Sequence, residues 1–422
     1  MTKMNKLKAA LLAASSMLVS GTASAQVVDT WTAGDVGILS ENGDGATVAV
    51  GTYDTATVID GVSISGERIS ISQSAVGVSG SLSLNSNTSY DGSVAGTVGA
   101  VTVEVTNGEG ADVSNIGSIT NGVISEGVQN GISRSSIGSS ASTSVSILAD
   151  GGAIHDSTYT VGDVAITSTN NGGVIAGVEL GIAGEATAAP TITDGTNNSI
   201  SATAIGATGS LSVSTTAMNG ASETTAIGVG AVAITAESTA GGSVLMASSV
   251  DGETAGGIFG AKIDGGNANS ISANAIGTSA SFGYSTTLKG EGSTIASTDT
   301  IGTVAVTSTN ASAVTNLMDI GVSGSADDGA SISDTASNSS IGVAGIGATA
   351  SVSYGSSDLT AGSGATTNAV EIGATTIATN NTGAVLVGGS IYSPSLGGGF
   401  GNSISVAAVG ASASQSFSNT GR

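Results

Sequence analysis

Apolar and polar residues alternate one by one along much of the chain, and the alternation changes phase at recurring glycines. In "NSISATAIGATGSLSV", which begins at Asn198, Ile200, Ala202 and Ala204 alternate with Ser201 and Thr203, the spacing of a strand. From Ile205 the apolar set becomes Ile205, Ala207, Gly209, Leu211 and Val213, with Thr208, Ser210 and Ser212 opposite. The copy at Asn269 repeats the switch with Ile271, Ala273 and Ala275, then Ile276, Thr278, Ala280, Phe282 and Tyr284. A one-residue slip turns the other face inward, and glycine tolerates the bulge or bend that does so. The motif reads as a bent strand or a corner between two strands. Ile205, Ile276 and Ile346 are expected to be buried at equivalent positions.

Six copies align on Gly77, Gly138, Gly206, Gly277, Gly347 and Gly410, giving intervals of 61, 68, 71, 70 and 63 residues. Between them runs a second motif: "VTVEVTN" from Val101, "VAITSTN" from Val164, "VAITAES" from Val232, "VAVTSTN" from Val304 and "TTIATNN" from Thr375. Self-similarity at a near-constant period is the mark of a repeat architecture. Gly-, Asp- and Asn-bounded apolar runs such as "GGVIAGVELGIAG" from Gly172 add further strands with tight turns.

The expected fold is all-β: a parallel β-solenoid of about six sequence units, each 61–71 residues. Residues 26–92 form an N-terminal lead and first unit, and residues 93–422 five further units of one continuous solenoid. A coil of roughly twenty residues or a little more places about three coils in each unit. Asn130, Asn198, Asn269, Asn338 and Asn402 precede the motif in five copies. They suit either an Asn ladder between coils or simply turns. Tandem sandwiches would be poorly cored with so few large apolar residues. A membrane barrel would want aromatic girdles, which one Trp, six Tyr and four Phe do not supply.

Composition adds a compartment. "MTKMNKLKAALLAASSMLVSGTASA" has a basic start at Lys3, Lys6 and Lys8, an apolar run from Ala9 to Val19, and the small-residue site Ala23-Ser24-Ala25. It reads as a Sec signal peptide over residues 1–25, cleaved after Ala25 to start the mature chain at Gln26. The expected location is secreted, extracellular or on the cell surface of a bacterium. With no cysteine, backbone pairing and many small apolar contacts must hold the fold. The formal net charge is −23, and removing three lysines makes it −26. Arg68, Arg134, Lys262, Lys289 and Arg422 are the basic residues left, too few to neutralise a nucleic acid. Insertion of the mature chain into a membrane is not expected.

Candidate chemistry is sparse. His155, the single histidine, sits beside Asp156, but triads are made by geometry rather than adjacency. Polysaccharide-active β-helices need facing carboxylates or basic residues aimed at substrate charge, and no such set stands out. We expect no enzyme, no catalytic residues and no required cofactor. Ca²⁺ is the one ion suggested, by acids in turns at Asp44, Asp91, Asp150, Asp194, Asp251, Asp264 and Asp327-Asp328. No EF-hand or GGxGxD motif accompanies them, and Asp-Gly is first of all a turn dipeptide.

The "NSIS..AIG" copies resemble the head repeats of trimeric autotransporter adhesins, which have Ala-Ile-Gly cores along a β-roll. The wider resemblance is to bacterial secreted β-strand-repeat proteins, including adhesins and self-assembling matrix fibres. It implies an extracellular structural protein, a self-associating fibre, biofilm-matrix or surface-layer subunit. The alternative it implies is an adhesin binding a glycan or host surface through its loops. The final motif copy ends at Phe417, close to the last residue, so an open terminal coil and head-to-tail stacking are expected.

Overall fold

The computed structural model describes residues 27–51, 57–88, 92–150, 154–218, 222–247, 249–250, 253–254, 256–291, 294–361 and 365–421. The signal-peptide reading of residues 1–25 lies outside them. Alternating small and β-branched residues give 73% strand and 1% helix, stacked as a parallel β-solenoid with no closed barrel. Among the described residues the one antiparallel pair is Ser249–Val250 with Glu253–Thr254.

Each sequence unit forms one coil. In the third coil the chain runs through Ile154–Val161, Val164–Asn170, Gly173–Leu180 and Thr191–Thr193, then the long strand Ser199–Met218. Gly131–Asp150 pairs with Ser199–Met218, which pairs with Ser270–Glu291, so neighbours in the sheet lie a whole unit apart in sequence. Three coils per unit is therefore wrong. A 20-residue strand spans one wall in a single run, and the coil is correspondingly large.

The coil is flattened, with two walls. The long strand is one wall, and the first three short strands run back along the other. Ile200, Ala202 and Ala204 bury against Val174 and Ala176 in one core. Leu211 and Val213 bury against Ile166 and Ile234 in a second. Ser212 is exposed and Ser210 half-buried, both pointing away from that core as the alternation required.

The phase switch falls two residues later than the sequence suggested, between Gly206 and Ala207 rather than between Ala204 and Ile205. Ile205 pairs with Ile276 and Ala207 with Thr278, while Gly206 and Gly277 are passed over. Gly206 and Ala207 both face inward, the two-residue signature of a bulge. This leaves Ile205, Ile276 and Ile346 half-buried on the outer surface rather than in the core. The glycine is required by contact: a Cβ on Gly206 would lie 2.4 Å from Gly277 O, and one on Gly277 2.3 Å from Gly347 O. The bulges stack from coil to coil with no room for a side chain between them.

Candidate assembly interface

Two polar ladders run through the interior. At the end of the second motif, Asn42 Nδ2 donates to Asn107 Oδ1 at 2.8 Å and Asn107 Nδ2 to Asn170 Oδ1 at 2.9 Å. Ser238 takes the place of Asn in the fourth coil, where its Oγ bonds Ser312 Oγ at 3.0 Å. Asn310 Nδ2 then donates to Asn381 Oδ1 at 2.7 Å. Asn107, Asn170 and Asn310 are fully buried, so their amides need these partners. The same side chains press on the bulge: a Cβ on Gly138 would sit 2.3 Å from Asn170 Oδ1.

The second ladder uses the asparagines before the first motif, and settles the choice left open above. Asn198 Oδ1 accepts Asn130 N–H at 3.0 Å, and Asn269 Oδ1 accepts Asn198 N–H at 3.0 Å. Asn402 Oδ1 accepts Ser339 N–H at 3.0 Å. The rung in the fifth coil is thus Ser339, not Asn338. Asn338 is displaced to the exterior with φ 49, a left-handed turn conformation that Asn adopts more readily than most residues.

Among the described residues this interior lies open at both ends of the stack. Phe417 continues the inward column of Tyr284 and Tyr354, yet is 71% exposed where Tyr354 is 6%. Leu396, in the column of Ile332, is 52% exposed where Ile332 is 1%. At the other end Ile71 is exposed while its in-register neighbour Ile132 is buried. The first-coil strands Val27–Ala33, Val36–Asn42 and Ser70–Thr88 have 7, 7 and 19 residues. Their last-coil counterparts Ala365–Ile372, Thr375–Asn381 and Ser403–Gly421 have 8, 7 and 19. Among the described residues each of these end strands has a neighbour on one side only. Trp31 is part of the first coil itself. It belongs to the strand Val27–Ala33 and packs inward against Tyr159.

The titratable groups serve the scaffold. Asp35, Asp44, Asp163 and Asp319 accept backbone N–H groups of Ala100, Glu109, Ala231 and Ser390 in the next coil, at 2.7–3.0 Å. Asp328 is buried and accepts Gly184 N–H at 3.1 Å. Among the described residues no three His, Cys, Asp or Glu converge. Asp91 and Asp251 lie outside them. Asp299, fully buried, accepts Tyr284 Oη–H at 2.5 Å and Ile227 N–H at 3.0 Å. Burial and the Asp299 charge push the Tyr284 hydroxyl far above its ordinary pKa. His155 lies in the strand Ile154–Val161, its backbone in register with Gly92 and Glu223.

Arg134 has a role that its sequence context hides. It points into the core at a position held by Ala202 and Ala273 in later coils. Its guanidinium donates to Thr57 O at 2.8 Å, Asn115 Oδ1 at 2.6 Å and Ile116 O at 3.1 Å. Burial lowers its pKa to about 10. A flanking "ISRSS" gives no sign of this, because the alternation assigns the position inward without saying what would satisfy a cation there.

No family model matches the chain, nor does any curated protein or solved structure.

Proposed function

We propose that the protein is an extracellular structural subunit whose coils stack head to tail into a fibre, matrix or surface layer. The carrying observation is that, among the described residues, the first and last coils have unpaired edges of matching strand lengths. Parallel edge strands present unpaired N–H and C=O groups to any chain of the same shape. Edges related head to tail are heterologous and do not close, so pairing them generates a filament.

The interior supports the same reading. The Asn42–Asn381 ladder donates from each coil to the next, so it ends with Asn42 Oδ1 as acceptor and Asn381 Nδ2 as donor. A following copy would extend it. The inward aromatic column would set Phe417 on the Leu84 position of that copy. The second ladder stops at the junction, because its first-coil position is Ile69.

Electron microscopy of the chain from Gln26 onward tests the proposal. Filaments one coil wide, with strands across the axis at about 4.8 Å spacing, are expected. Phe417→Lys should suppress them and leave the monomer folded, since Phe417 is exposed there. A folded monomer at every concentration and salt tested overturns the reading and favours an adhesin acting through its loops.

A further inference from the structure

The long-strand wall has an outer surface unlike the rest of the molecule. In-register pairing lines up Ser81, Ser142, Ser210, Ser281, Ser351 and Ser414 as one column across all six coils. The outward columns on either side of it hold Ser and Thr, broken only by Gly283. The bulge leaves a different column beside them: Val76, Ile137, Ile205, Ile276, Ile346 and Val409, a ridge of branched aliphatic side chains on the exterior. From Ser70 to Asn85, and at the equivalent positions of the other coils, no outward residue is charged. The opposite wall exposes Glu41, Glu104 and Glu237. In a chain of net charge −23, one wall has been kept neutral.

We infer that this hydroxyl wall is the surface on which two copies associate laterally, wall to wall, with the aliphatic ridge of each seated in the serine channel of the other. Three observations select a second copy as the occupant. The first is charge: the opposite wall would set Glu41, Glu104 and Glu237 of two copies against each other, whereas this wall lets copies approach side by side without local like-charge repulsion. The second is shape: a shallow groove of about 470 Å³ runs along Ser81, Ser142, Ser210, Ser281 and Ser351, parallel to the ridge. A twofold axis along the solenoid, passing through the Thr208 column between them, exchanges ridge and groove. That makes the surface self-complementary, as an isologous contact requires. The third is area: about the Thr208 column the twofold overlaps roughly thirteen positions on each of six strands, which at about 3.3 Å and 4.8 Å each gives roughly 1,200 Å² per copy. A stable interface needs about 800 Å² per partner. Small hydroxyl side chains also let two sheets approach closely and exchange hydrogen bonds, as stacked dry sheets do. This twofold keeps both solenoids pointing the same way, so it pairs filaments of like polarity, and contacts that are weak singly add along their length.

The inference rests on the self-assembly reading, and one pair of variants separates the two. Ser210→Glu with Ser281→Glu places carboxylates at the centre of the wall, on outward positions whose substitution leaves the core untouched. Wild-type filaments should pair or form sheets by electron microscopy. The double variant should give single filaments, with circular dichroism as in the wild type and melting lowered only slightly by the two in-register carboxylates. Variant filaments that bundle like the wild type overturn the inference, as do wild-type filaments that never pair. If no filaments form at all, sedimentation of the soluble chain at high salt decides. A wild-type dimer lost in the variant supports the wall contact, and a monomer in both overturns it. Wild-type chains that stay monomeric but lose pelleting with ice or crystalline chitin when Ser210 and Ser281 are replaced would assign the wall to an external lattice and overturn self-association.

Discussion

Trp31 and Tyr159 touch although a whole coil separates them: their ring centroids are 5.4 Å apart with planes at 52°. They meet because Gly96, the residue stacked between them, has no side chain. A Cβ there would lie 2.7 Å from both rings. Gly96→Ala should overpack this column and destabilise the fold by about 1–3 kcal/mol. Urea unfolding should show a lower midpoint, and restoring space with Tyr159→Leu in the same chain should recover part of the loss.

The Asn ladder should be far more sensitive than any surface asparagine. Asn170→Ala removes the acceptor for Asn107 Nδ2 and the donor to Gly172 O, 3.0 Å away in the interior. Leaving those groups unpaired costs about 1–3 kcal/mol each. Replacement of the exposed Asn338 should cost much less than Asn170→Ala by the same melting assay.

The position of the bulge gives a sharp comparison within one strand. Ile271 is fully buried whereas Ile276, five residues on, is half-buried on the exterior. Ile271→Ser should cost about 2–5 kcal/mol, in the range of large-to-small core changes. Ile276→Ser should cost about 1 kcal/mol or less. Equal losses in chemical denaturation would place the change of phase before the glycine instead.

Alkaline pH should loosen the core through its tyrosines. Burial raises the Tyr159 hydroxyl to about 12, and among the described residues it has no hydrogen-bond partner. A raised folded-state pKa gives stability that is complete below the unfolded value near 10 and is lost as pH climbs through 10 to 12. Tyr159→Phe should therefore match or exceed wild-type stability at pH 8. Its advantage should widen toward pH 12, read as the difference in melting temperature.

Assembly should follow the charge. With Lys3, Lys6 and Lys8 removed the chain carries about −26, and repulsion between copies falls with salt as the screening length shortens. Light scattering should show assembly promoted by salt, mild acid or millimolar divalent cations. Calcium acting well ahead of magnesium would point to specific sites in the Asp turns, and equal effects to screening.

Strand, turn and repeat were legible in the sequence because alternation and glycine spacing are local. Ser212 opposite Leu211 and Val213 followed directly from that pattern. The number of coils per unit did not, because a period measures how often a motif returns and not how far the chain travels between returns. The phase error has a similar origin. Ile205 is apolar on either face, and only the register of Ala207 with Thr278 shows that Gly206 is the extra inward residue. The first ladder was missed because Asn107 and Asn170 close their strands, where asparagine ordinarily signals a turn. The neutral wall was visible as Ser-X-Ser but had no meaning until stacking turned six such stretches into one surface.

One coil per unit also governs how the chain reaches this structure. Gly131 pairs with Ser70 and Ser199 with Gly131, separations of 61 and 68 residues. Closing a loop of that size costs about 4 kcal/mol in chain entropy before any ladder forms, and folds built from such distant contacts are slow. The first two coils are thus the kinetic bottleneck, and every later coil condenses on an edge already in place. A chain that meets a finished edge of another copy would, on the proposed assembly, be spared that first closure. If copies stack head to tail as proposed, the edge that lengthens the filament would also shorten the search of the next chain, and seeds of folded protein should abolish the lag in refolding.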